Sequence, residues 1–95
     1  MINEIIKLAN KLECKGEILE WYVFGSFLHS PKKAKDLDIL VIYENISSAK
    51  EARKSLGDIL LRHPIDLIFM TREEEKQFDF IRTQYAKKIA TFNEA

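Results

Sequence analysis

The chain has 95 residues, 46% hydrophobic and 32% charged, and its 15 basic and 15 acidic side chains leave a formal net charge of zero. That length allows one small core, hiding somewhat over ~60% of the unfolded surface, and the balanced charge offers no global field to draw the chain onto nucleic acid or an anionic membrane. Cys14 is the sole cysteine, which excludes an internal disulfide; no apolar run approaches the ~20 residues of a membrane span, and the first residues lack a signal-peptide pattern, so a soluble protein of the cytoplasm is expected.

Ile2, Ile5, Ile6, Ala9 and Leu12 recur at helical spacing, with Asn3, Lys7, Asn10 and Lys11 off that face and Gly16 as a stop. Residues 18–24 are rich in β-branched and aromatic side chains and read as a strand. Gly25-Ser26 follows, and Pro31 limits any helix starting at Ser26 to about one turn. Residues 37–43 form a second, almost wholly apolar strand, as expected when both sheet faces are covered. Ser48 and Glu51 have capping-box spacing and predict a helix from Ser48, with an inner stripe of Ala52, Leu56, Ile59, Leu60 and His63. Gly57 inside it predicts close packing against a neighbour. Pro64 ends that helix, residues 65–70 form the third strand, and Thr71 with Glu74 makes a second capping box. The tail reads either as one helix to the end or as a helix stopping near Thr83 with a short edge strand over 87–91; the second is preferred.

No repeat, linker or low-complexity tract divides residues 1–95, so a single domain is expected. Too few residues separate the first two strands for a crossover helix, so these should pair antiparallel. The helix before Pro64 is long enough to return the chain for parallel placement of the third strand. The expected fold is α+β, a small mixed sheet of a hairpin plus a further strand, covered by helices.

The chemistry lies in the acids. Asp36 and Asp38 are two apart, hence on one side of the strand and about 6.5–7 Å apart along it, and Asp66 interrupts an apolar strand. A buried carboxylate is strongly disfavoured unless it meets a cation. Three acids on two neighbouring strands therefore point to a shared site for one divalent ion, or for two ions about 3.5–4 Å apart. Oxygen-only donors favour Mg2+ or Mn2+ over zinc, and such a site suits phosphoryl or nucleotidyl transfer. Gly25-Ser26 at a strand exit supplies the phosphate end, since glycine lets backbone approach a ligand and the serine hydroxyl adds a donor.

Gly25-Ser26, Asp36-x-Asp38 and Asp66 together resemble the Gly-Ser…Asp-x-Asp…Asp signature of nucleotidyltransferases of the DNA polymerase β type, nearest to their minimal stand-alone prokaryotic domains. The resemblance spans roughly residues 18–70 and includes the order of elements. It implies the polymerase β-like fold, Gly25 and Ser26 on nucleotide phosphates, Asp36 and Asp38 as metal ligands, and Asp66 as the third carboxylate and base. The implied reaction moves a nucleoside monophosphate from a nucleoside triphosphate (NTP) to an acceptor hydroxyl. It also implies a small helical, toxin-like partner protein, with this chain as antitoxin. An acceptor site built by a homo-oligomer is an alternative, and nucleic acid is an acceptor that the charge does not point to.

The pattern is broken once: where minimal members often carry Arg-Gly, this chain has Phe27-Leu28-His29-Ser30-Pro31, and Lys32, Lys33 or Lys35 (Lys35 first) is expected to supply the positive charge. A second reading is therefore a nucleotide- or partner-binding module of the same fold without turnover. Taken singly, the residues have plainer readings. His29 reads as a surface histidine, His63 as a helix end, Glu73-Glu74-Glu75 as an exposed first turn, and Cys14 as inert; Trp21, Tyr22, Phe24, Phe27 and Phe69 read as core.

Overall fold

The computed structural model describes residues 2–92. Its elements run α1 (Ile2–Cys14), β1 (Leu19–Phe24), α2 (Ser26–His29), β2 (Leu37–Tyr43), α3 (Ile46–Arg62), β3 (Ile65–Thr71), α4 (Arg72–Phe78), α5 (Phe80–Thr83), β4 (Lys87–Lys88) and a closing 3-10 turn, Ile89–Phe92. The four strands form one mixed sheet in the order β3-β2-β1-β4. β1 and β2 pair antiparallel, from Leu19 opposite Tyr43 to Phe24 opposite Asp38. β2 and β3 pair parallel, from Leu37 beside Ile65 to Tyr43 beside Thr71.

Apart from Asp38, β2 is apolar because it is central and covered on both sides. Leu37, Ile39 and Val41 face α1 and α3 together with Trp21 and Val23, Ile5, Ile6 and Leu12, and Ala52, Leu56 and Ile59. Leu40 and Ile42 face the other way with Tyr22, where Phe80, Ile81 and Ala86 cover them. Phe24 meets Phe80 edge-to-face at 4.9 Å between ring centroids, a geometry that rings prefer to a flat stack. Beyond the core, Arg72 pairs with Glu20, which also accepts from the Tyr22 hydroxyl at 2.8 Å. Burial and that bond push the Tyr22 hydroxyl up to about 12.

Three details depart from what the sequence predicts. α3 begins at Ile46, and its cap is Asn45, whose side chain accepts from the Ser47 amide at 2.9 Å; asparagine caps as well as serine does. Ser48 is instead buried, its hydroxyl donating to the Glu17 carboxylate at 2.5 Å across to the segment after α1. Gly57 faces open space, with nothing within 4 Å of where a Cβ would stand, so no close neighbour explains it. In the tail, the helix breaks at Asp79 in the left-handed conformation (φ 53°) and ends at Thr83. The edge strand is present but only two residues long, because Ile89 turns inward and joins the core.

His63 caps α3, as its reading as a helix end implies, and its ring meets the Glu4 carboxylate at 2.5 Å. Glu4 also accepts from Arg62 at 2.7 Å, tying the start of α1 to the end of α3. Thr71 and Glu74 form the expected capping box. Among the described residues no helix is long and apolar enough to cross a membrane.

Candidate active site

The parallel register sets Asp38 directly beside Asp66. Because strand side chains alternate, both carboxylates leave the same face of the sheet, the face that continues with Leu40 and Ile42 on β2 and Ile68 and Met70 on β3. Asp38 is half-buried and Asp66 exposed. The Asp38 carboxyl is held above its ordinary value first by burial, then by hydrogen bonding to Asp66 and by the charges of Asp66 and Asp36. That is the signature of like charges sharing a site.

Gly25 closes the site from the other side. It sits at φ 80°, ψ −156°, a region essentially restricted to glycine. A Cβ there would stand 2.0 Å from the Asp38 Oδ2 atom. The sequence has glycine here because the backbone leaving β1 lies flat against the carboxylate at the start of β2. The hairpin register produces this approach, since Phe24, the last residue of β1, is opposite Asp38.

Ser26 opens the one-turn helix α2 and is exposed. Ser30 accepts from the amides of Lys33 and Ala34 at 3.0 and 2.9 Å, and this turn swings the lysine loop back over α2. The result is an open recess lined by Ser26, His29, Ser30, Lys33, Lys35 and Asp36. Lys35 is thus placed with Ser26 and Asp36, whereas Lys32 lies outside the lining. The sequence names Lys33 among the candidate cations and reads His29 as a surface histidine; the three-residue step from Ser26 to His29, which puts those two on one side of a single helical turn, is the signal that brings His29 to the recess.

Asp36 sits on an exposed bend just before β2, within electrostatic reach of Asp38. Among the described residues, no three His, Cys, Asp or Glu side chains form a closed group able to hold a metal ion. The structure therefore brings Asp38 and Asp66 together and leaves Asp36 at the rim. The donor set is still all oxygen and like-charged, with a half-buried member, which is the chemistry that fits a hard divalent cation.

A mixed sheet with paired carboxylates at the entry of its parallel strands, backed by a glycine-serine turn, defines an α+β domain of the nucleotidyltransferase type. The chain belongs to the family described as Polymerase beta, Nucleotidyltransferase, whose family model matches residues 3–94. No curated protein and no solved structure matches the chain.

Proposed function

We propose that this protein transfers a nucleoside monophosphate from an NTP to an acceptor hydroxyl, with pyrophosphate leaving, in a reaction that depends on Mg2+ or Mn2+. The observation that carries this reading is the alignment of Asp38 with Asp66 beside Gly25. Asp38 and Asp66 would hold the ion, with Asp36 completing the set. Bound there, a divalent cation neutralises triphosphate charge and makes the acceptor hydroxyl easier to deprotonate.

The remaining work belongs to the chain. Gly25 keeps the floor of the site free of side-chain bulk. Ser26 donates to a phosphate oxygen, and Lys33, Lys35 and His29 around the recess face the rest of the polyphosphate. Asp66, exposed beside Asp38, would take the proton from the acceptor hydroxyl. The acceptor proposed is a hydroxyl on a small helical partner protein, with this chain acting as its antitoxin in the cytoplasm.

A second reading, nucleotide or partner binding without turnover, is favoured by the rim position of Asp36. One experiment separates the two. The protein is incubated with α-phosphate-labelled ATP, GTP, CTP or UTP, Mg2+ and the product of its genomic neighbour, as wild type and as Asp38→Asn. Label on the neighbour with wild type alone establishes transfer. Mg2+-dependent nucleotide binding without label establishes the binding module. A melting point unmoved by Mg2+ and all four nucleotides refutes both.

A further inference from the structure

The sheet is incomplete along β1. β4 pairs only with Tyr22 and Val23, and the chain then turns inward at Ile89, which joins the core. Among the described residues, no strand therefore pairs with the outer edge of residues 19–21. A recess of about 180 Å³ opens there, between the last turns of α1, β1 and the closing turn. Leu12, Leu19 and Ile89 give it apolar walls. It lies on the face of the sheet that α1 covers, whereas Asp38 and Asp66 leave the opposite face, so it is separate from the candidate active site.

Trp21 lines this recess and is only 6% exposed. Among the described residues its indole N–H has no hydrogen-bond partner, although a buried indole N–H normally finds one. No side-chain nitrogen or oxygen among those residues is both sealed from solvent and unpaired, so the N–H reaches accessible surface, and the recess is where Trp21 meets it. The charges around it divide into engaged and free. Glu17 accepts from the Ser48 hydroxyl, and Glu20 is held by Arg72 and by the Tyr22 hydroxyl. Glu13 and Lys88 also line the recess and are exposed. Lys88 lies within electrostatic reach of Glu20, yet among the described residues neither Lys88 nor Glu13 is in an ion pair. The recess thus presents one free carboxylate, one free ammonium, one neutral donor and an apolar wall.

We propose that this recess is a binding site for a small zwitterionic amino acid, of about the size of alanine or valine. The ligand's ammonium pairs with Glu13, its carboxylate takes Lys88 and the Trp21 N–H, and its side chain rests on Leu12, Leu19 and Ile89. Bonds to ionised groups are the stronger class of hydrogen bond, and a ligand of one charge sign leaves either Glu13 or Lys88 unanswered. Size sets the upper limit. The recess, at about 180 Å³, falls below the ~300–1,000 Å³ of pockets that take drug-sized molecules, which excludes a nucleotide. A ligand held there bridges α1 to β1 and the closing turn. This inference does not rest on the proposed reaction.

Fluorescence of the full chain tests it without Mg2+ or nucleotide, because Trp21 is the only tryptophan. Titration with valine is expected to shift the indole emission saturably, with half-saturation below about 10 mM. Isovalerate, which lacks the amine, and isobutylamine, which lacks the carboxylate, should each bind at least tenfold more weakly. Glu13→Gln and Lys88→Gln, both at exposed positions, should each weaken valine binding at least tenfold with an unchanged far-UV circular dichroism spectrum. Trp21→Phe removes the N–H and the reporter together; calorimetry should then show at least a tenfold loss. An emission spectrum unmoved by alanine and valine up to about 10 mM overturns the proposal. So does valine binding that is indifferent to both Glu13→Gln and Lys88→Gln, or isovalerate or isobutylamine binding as tightly as valine.

Discussion

Asp38 and Asp66 are direct partners in the parallel ladder between β2 and β3, so the pairing of two strands, rather than any loop, sets the distance between two like charges. The Asp38 carboxyl is raised, first by burial and then by Asp66. The folded state therefore holds that proton more tightly than the unfolded chain. Its contribution to stability is present below the ordinary aspartate value and falls as pH rises through the raised one.

Asp38→Asn is accordingly expected to raise the melting point of the metal-free protein at neutral pH and to flatten this decline between acid and neutral pH. Under the proposed function, Mg2+ is expected to raise the melting point of wild type and not of this variant. Thermal melts across pH, with chelator and with Mg2+, check both. Transfer activity should fall by roughly 10³-fold or more, the equivalent of several kcal/mol of lost charge stabilisation.

Gly25→Ala should cost about 1–3 kcal/mol, because its backbone conformation is essentially glycine-only and its Cβ would stand 2.0 Å from the Asp38 Oδ2 atom. Adding Asp38→Ala removes the steric part and leaves the backbone part. The double variant is therefore expected to be less destabilised than the sum of its parts in urea melts.

Gly57→Ala should stabilise the protein by about 0.5–1 kcal/mol, since nothing within 4 Å opposes the new methyl and alanine gains over glycine inside a helix. The melting point should rise by about 2–8 °C, measured at low protein concentration.

Asn45→Ala removes the observed cap of α3 and should cost about 0.5–2 kcal/mol. Ser48→Ala should cost about 0.5–1.5 kcal/mol for a different reason, the loss of its hydrogen bond to Glu17. Glu17→Gln distinguishes them: it should reduce the penalty of Ser48→Ala and leave that of Asn45→Ala unchanged.

The strands were legible because their signals are local and doubly supported. β2 and β3 are apolar runs bounded by proline or polar turns, and the sequence predicts both within one residue of the observed ends. The cap of α3 was not legible in the same way, because Asn45 and Ser48 are both competent caps. Glu17, from the far side of α1, claimed the serine. Gly57 suggested a close neighbour that the structure does not contain. The acids stood out as charges in apolar strands, but the recess formed with His29 and Lys33 depends on how the 30–36 loop folds back.

The residue pattern by itself determined the element types, the hairpin and the parallel return of β3, and singled out the candidate carboxylates and glycine, because periodicity, punctuation and buried charge act over a few residues at a time. Only the tertiary structure decided that Asp38 faces Asp66 while Asp36 stays at the rim, that Gly25 lies against the Asp38 carboxylate, and that among the described residues β3 pairs with β2 alone. Those outcomes depend on strand register and long-range packing, where the neighbour that fills or leaves a space comes from a distant part of the chain.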